Sequence, residues 1–216
     1  MSDERDLADL REDYASGGLA EADLTPDPVS MFSRWYDDAS SAAIGEPNAM
    51  VVSTVDVDGA PSSRFVLLKG FGPHGFRFFT HTGSRKGRGL AAEPRCALLF
   101  PWHQLERQVR VDGHAVPVPR AEVEEYFARR PRGSRIGAWA SQQSAEVASR
   151  DELTAAYAEA ERRFADTDDV PAPPGWGGYD VVPDAVEFWQ GRTGRMHDRL
   201  VYERSGDGWT VRRLAP

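Results

Sequence analysis

Between residues 49 and 118 the chain takes on strand-like periodicity, and the way those strands are joined restricts the fold. Residues 50–55 read as a strand, Asp58-Gly59 as a tight turn and residues 62–69 as a returning strand, so the region opens on a hairpin. Residues 76–80, 95–102 and 108–118 continue the pattern, with turns expected at Pro73-His74-Gly75 and Asp112-Gly113. Short strands with tight connections and no regular strand–helix–strand alternation predict an antiparallel sheet or small barrel with peripheral helices, not a doubly wound parallel sheet.

Helices flank this core. Leu7, Leu10 and Tyr14 recur at helical spacing before Gly17-Gly18, which predicts a short N-terminal helix. Asp27-Pro28 has the form of an N-cap followed by proline at the first helical position, opening a helix that carries Phe32, Trp35 and Ala39 on one face. Two further helices are expected at 119–130 and 150–164, then a proline-rich connector at 170–176. Strands return at 179–182, 185–190, 198–204 and 209–214, the last two joined through Ser205-Gly206-Asp207-Gly208.

A chain of 216 residues is long enough for one domain with a real core. We expect residues 1–216 to form a single domain in which 1–26 is a mobile N-terminal segment. The net charge of −8 disfavours a general nucleic-acid or anionic-membrane surface, so any anion site must be a local exception. The longest apolar runs fall far short of a membrane span and the first ten residues are acidic, which predicts a cytoplasmic protein. Cys96 is the single cysteine and reads as a buried apolar residue, and the histidines show no metal-ligand spacing.

Several local groups could hold an anion. If residues 195–199 are extended, Arg195, His197 and Arg199 project on one face at about 7 Å intervals, a row that repels itself unless an anion or an electron-rich ring faces it. Phe188 and Trp189 supply flat apolar surface just upstream, and Gly191 and Gly194 bracket a turn that would bring them beside the cations. Gly83-Ser-Arg-Lys-Gly-Arg88 precedes a helix-like stretch that Ser84 would cap, and cations in a first helical turn oppose the helix dipole unless an anion is bound there. Arg64 and Lys69 stand five positions apart on a strand and so face opposite ways unless a bulge intervenes. Tyr126 and Arg130 share a helix face, with Pro131 ending that helix before Ser134. Gln108, Gln143 and Ser144 are neutral hydrogen-bonding candidates. Taken singly, each group also suits a solvated turn, a charged strand end or a helix terminus. No serine-hydrolase elbow, P-loop or dinucleotide-binding glycine motif is present.

Taken together, Arg64-Phe-Val-Leu-Leu-Lys69, Gly83-Ser-Arg-Lys86, Leu99-Phe-Pro-Trp102, Leu105-Glu-Arg-Gln108, Arg130-Pro-Arg132, Ile136-Gly-Ala-Trp139, Gln143-Ser144, Glu187-Phe-Trp-Gln190 and Arg195-Met-His-Asp-Arg199 resemble the pyridoxine/pyridoxamine 5′-phosphate oxidase family. The resemblance implies a split β-barrel homodimer with FMN at the subunit interface. Its reaction would be oxidation of pyridoxine or pyridoxamine 5′-phosphate to pyridoxal 5′-phosphate, with dioxygen as final acceptor. It implies FMN contacts from Arg64, Phe65, Val66, Leu67, Leu68, Lys69, Phe79, Thr80, Arg85, Lys86, Gln108, Gln143, Ser144, Trp189 and Arg199. It gives the substrate phosphate to Lys69, Tyr126, Arg130 and Ser134, sets Arg195 and His197 over the pyridine ring as catalytic residues, and makes Arg11 and Tyr14 a closing segment. No metal is implied. Phe79 departs from the tyrosine that the family commonly carries there, and Glu12-Asp13 makes the closing segment more acidic than a phosphate neighbour suggests. A related split-barrel reductase using a deazaflavin or another electron donor, and a non-catalytic carrier of pyridoxal phosphate, are the competing readings.

Overall fold

A computed structural model describes Tyr14 and residues 17–216. The expected helix through Leu7 and Leu10, and the candidate Arg11, lie outside the described residues. Among the described residues there are five α-helices: α1 (Pro28–Ser41), α2 (Arg85–Ala92), α3 (Arg120–Ala128), α4 (Arg132–Ala140) and α5 (Arg150–Arg163). The strands are β1 (Ala49–Val55), β2 (Pro61–Leu67), β3 (Gly70–Gly72), β4 (Gly75–His81), β5 (Arg95–Trp102), β6 (Arg107–Pro117), β7 (Trp176–Gln190), β8 (Asp198–Ser205) and β9 (Gly208–Arg213). They form one sheet in the order β2-β1-β5-β6-β7-β4-β3, with β8 pairing β7 and β9 pairing β8. The expected mainly β architecture with peripheral helices is therefore found. No helix among the described residues is long and apolar enough to cross a membrane.

The described residues group into two compact units, one of those up to Pro47 with Phe100–Arg110 and Ala185–Pro216, the other of Asn48–Leu99 and Val111–Asp184. Strands β5, β6 and β7 each pass through both.

In the first unit, Asp27 caps α1 by accepting from the N–H groups of Val29 and Ser30, as its place before Pro28 predicts. The apolar face of α1 buries Phe32 against Phe100 (4.8 Å between ring centroids) and Trp35 edge-on to Phe188 (5.2 Å). Residues 17–23 are held to β8 and β9. Leu19 is buried and its N–H donates to Asp198, while Arg213 donates to the Leu19 carbonyl and to both Glu21 and Asp198.

In the second unit, β1 and β2 form the expected hairpin, with Gly59 at φ +83° in its turn. Three expectations need correction. The turn at Asp112-Gly113 does not exist: β6 runs straight through it, and glycine is needed there because a Cβ would lie 2.2 Å from the carbonyl oxygen of Val182. The separate strands at 179–182 and 185–190 are one strand, β7, which continues past Pro183. The expectation of only two helices between β6 and the connector is incomplete, because Pro131, just beyond α3, stands at the N-cap position of a third, α4. Its Ile136 is fully buried with Ala160, Phe164 and Val170, so tertiary packing sustains it.

Candidate active site

The second unit holds a cavity of about 460 Å³ lined by residues from β2, β4, α2, α3, α4 and the segment after α4. At one end stands α2. Ser84 caps it by accepting from the Gly87 N–H, which places Arg85 and Lys86 at its first two positions. Lys86 is buried, and its Nζ donates to Gln143 Oε1 at 2.7 Å and to Thr80 Oγ1 at 3.0 Å. Burial and the nearby Arg64 guanidinium bring its pKa down to about 8. Arg64 donates to the Val52 carbonyl, Thr54 Oγ1 and Ser62 Oγ, and its own pKa is lowered by burial and by Arg85, with Asp56 opposing. The Arg85 backbone N–H donates to Ser144 Oγ at 3.2 Å, and Ser144 is held at φ +72°. Arg85 thus disfavours the charge on Arg64, and Arg64 that on Lys86, the condition a bound dianion relieves.

Elsewhere on the cavity wall, Arg130 lies with its guanidinium 4.1 Å from the Trp176 ring centroid. Its Nη1 is buried and has no hydrogen-bond partner among the described residues, and burial lowers its pKa. Beside it, burial raises the Tyr126 hydroxyl pKa, and the Tyr126 ring stacks on Phe79. Lys69 and Ser134 line the same cavity, Ser134 from the first turn of α4. Phe65, Val66 and Leu67 complete the wall, Phe65 with 70% of its surface exposed. Leu68 instead turns into the core, with its N–H and carbonyl both taken by Asn48. β2 ends at Leu67, so the strand parity assumed between Arg64 and Lys69 does not hold.

The remaining candidates lie in the first unit. The predicted row of Arg195, His197 and Arg199 on an extended strand is not found. Thr193–Arg195 forms a tight 3-10 turn with Gly194 and Arg195 both at φ +62°, and β8 begins only at Asp198. Arg199 has an internal partner, since Nε donates to Glu187 Oε1 at 2.6 Å and Nη2 to Oε2 at 3.1 Å. Arg110 meets the same buried carboxylate at 3.3 Å. Arg195 is exposed and has no ion-pair partner among the described residues. Its positive φ is strained for a side-chain-bearing residue, a feature that clusters at functional sites. The turn brings His197 to 4.5 Å from the Trp189 ring centroid, and Tyr14 stands edge-on to both. His197 Nδ1 accepts from the Arg192 N–H at 3.1 Å, which leaves Nε2 to carry the proton of the neutral ring. Phe188 faces the core beside Trp35 and Tyr202, away from this group. Gln108 is half-buried on β6. Asp56, Trp176 and Glu187, which hold Arg85, Arg130 and Arg199, carry no local signal for those roles, because each contact joins residues brought together only by the fold.

This fold is that of split-barrel flavin-binding proteins. An FMN-binding protein from Nostoc punctiforme PCC 73102, described as pyridoxamine 5′-phosphate oxidase-related, superposes with a TM-score of 0.70 at 16% identity, over 90% of this chain and 99% of that one. PhzG from Burkholderia lata 383, solved with tetrahydrophenazine-1-carboxylic acid, superposes with a TM-score of 0.86 at 32% identity, over 93% and 99%. The model of the family described as pyridoxamine 5′-phosphate oxidase matches residues 36–164, and that of the pyridoxine 5′-phosphate oxidase C-terminal dimerisation region matches residues 176–216. A Nocardioides protein named pyridoxine/pyridoxamine 5′-phosphate oxidase is 64% identical over 98% of both chains, and the protein of that name from Rubrobacter xylanophilus is 55% identical over 98% of this chain and 97% of its own. The chain belongs to the pyridoxamine 5′-phosphate oxidase family. It is accordingly a flavin-type oxidoreductase carrying a dimerisation region.

Proposed function

We propose that the protein oxidises pyridoxine 5′-phosphate and pyridoxamine 5′-phosphate to pyridoxal 5′-phosphate, with FMN as cofactor and dioxygen as final acceptor. One observation carries the reading. A single cavity is lined both by Lys86, Thr80 and Gln143 and by Lys69, Tyr126, Arg130 and Ser134, which suits two phosphorylated flat molecules. The residues fit FMN: mutually repelling cations offer charge to its phosphate, and exposed Phe65 offers apolar surface to a ring.

FMN, when bound, supplies a two-electron acceptor able to take a hydride. The chain's own groups do the rest. Arg64, Arg85, Lys86, Thr80, Gln143 and Ser144 would hold its phosphate end, while Phe65, Val66, Leu67, Lys69, Phe79, Gln108, Trp189 and Arg199 would complete its surroundings, Leu68 being turned into the core. Arg130, Lys69, Tyr126 and Ser134 anchor the substrate phosphate, and that fixed end lets the reacting carbon be oriented instead of diffusing. Arg195 and His197 face the pyridine ring, where a guanidinium stabilises developing negative charge. Tyr14, edge-on to the His197 ring, would cover them. A homodimer with FMN at the interface and a cytoplasmic location complete the proposal.

The likeness to PhzG favours one second reading, oxidation of a tricyclic carboxylic acid. Anaerobic addition of pyridoxamine 5′-phosphate to flavin-loaded protein should bleach the bound flavin, and admitting air should restore it with release of peroxide. Bleaching by tetrahydrophenazine-1-carboxylic acid alone would support the second reading, and bleaching by neither would leave a carrier.

A further inference from the structure

Asp56 stands just beyond β1, where the hairpin turn fixes its backbone: its N–H donates to the Ala60 carbonyl and its carbonyl accepts from the Gly59 N–H, both at 2.9 Å. The side chain is only 8% exposed. Oδ2 takes the Arg85 Nε at 2.5 Å, whereas Oδ1 is buried with no partner among the described residues. A buried carboxylate with one oxygen unsatisfied is unfavourable for stability alone. Its position is set closely, because α2 packs so near β1 that a Cβ on Gly89 would lie 2.8 Å from the Val55 carbonyl oxygen and 3.5 Å from Asp56 Oδ1.

What this carboxylate does is hold Arg85 by one edge. With Nε engaged, both Nη groups of a side chain that is 58% exposed are left without partners among the described residues. An exposed arginine otherwise samples many rotamers, and ordering it on binding costs affinity. Asp56 also offsets the repulsion that Arg85 exerts on Arg64. We propose that Asp56 is a positioning residue for the FMN phosphate, fixing the Arg85 fork toward the phosphate and balancing Arg64, Arg85 and Lys86 before it arrives. It touches neither cofactor nor substrate. Because Asp56 is already paired with Arg85, an incoming phosphate meets the guanidinium end of a fixed dipole and not a bare carboxylate. The inference rests on reading the cavity as an FMN site.

Affinities of the apoprotein for FMN and for riboflavin, which lacks the phosphate, test it through quenching of flavin fluorescence. Wild type should prefer FMN. Asp56→Asn should raise the FMN dissociation constant about tenfold, the order expected for one hydrogen bond to a charged group, and leave riboflavin binding unchanged. Arg85→Ala should show the same loss, and Asp56→Asn should add nothing in that background. Arg85→Lys, which keeps the charge but not the fork and leaves the buried carboxylate untouched, should also lose the preference. Unchanged or tighter FMN binding by Asp56→Asn, an equal loss for riboflavin, a further loss on top of Arg85→Ala, or wild-type behaviour of Arg85→Lys would each overturn the inference while leaving the flavin reading intact. A wild type that binds neither flavin, or both equally, overturns the reading itself.

Discussion

Phe79 lies flat on Tyr126, with ring centroids 3.9 Å apart and planes 6° from parallel. Both rings line the cavity, so the phenylalanine works as a floor beneath the tyrosine and has no hydroxyl to offer FMN. Phe79→Ala should raise KM for phosphorylated substrate about two- to tenfold, the range of one aromatic pair, and lower flavin content by a smaller factor. Phe79→Tyr should leave both near wild type. Steady-state kinetics and flavin absorbance check the pair, and an unchanged KM in Phe79→Ala would remove the stack from substrate binding.

Lys86 ties stability and cofactor binding to pH in opposite directions. Its pKa in the folded protein is about 8 against an ordinary 10.5, so between those values the unfolded chain holds a proton that the folded chain lacks. The lysine's contribution therefore makes apoprotein stability rise with pH across that window. FMN affinity should fall over the same range, since only the charged form attracts a phosphate. Melting curves and FMN titrations from pH 7 to 10 should show both slopes, and Lys86→Met should flatten both.

Cofactor and turnover should separate by residue. Arg195→Leu should lower kcat about a hundredfold, as loss of one preorganised donor does, with flavin content nearly unchanged. Lys86→Ala should lose flavin first and recover much of its turnover at saturating FMN. Equal flavin loss in both variants would contradict this division of labour.

Gly113 tests the sheet. Gly113→Ala should cost about 1–3 kcal/mol, the order for overpacking, because the added methyl meets the Val182 carbonyl. Gly45→Ala is the control, with nothing within 4 Å of the added Cβ. Thermal melts of both should differ by several degrees.

Elements whose signals are local could be read from the sequence. Asp27-Pro28 opens α1, Ser84 caps α2, and β5 spans the expected residues 95–102. Where a local signal met a distant partner, the partner prevailed. Asp112-Gly113 has turn chemistry, yet the neighbouring strand uses the glycine for close approach, and Pro183 interrupts the alternation of β7 without ending it. Arg199 looked unpaired because Glu187 reaches it only once β7 and β8 are in register, with Glu187 opposite Val201 and Trp189 opposite Arg199. The cavity followed the same rule: Arg64, Arg85, Lys86, Tyr126 and Arg130 carry chemistry visible in one dimension, whereas Asp56 and Trp176 acquire meaning only through neighbours 29 and 46 positions away.

Arg213 grips Glu21, Leu19 and Asp198 at once, and two residues further on the Ala215 carbonyl accepts from Arg199. A clip of four residues after Arg212 would therefore do more than shorten the tail. It would remove the Arg213 grip on Leu19 and Glu21 and one acceptor of Arg199 together, leaving Asp198 to hold Leu19 and Glu187 to hold Arg199, so protease trimming there would loosen two separate segments in a single event.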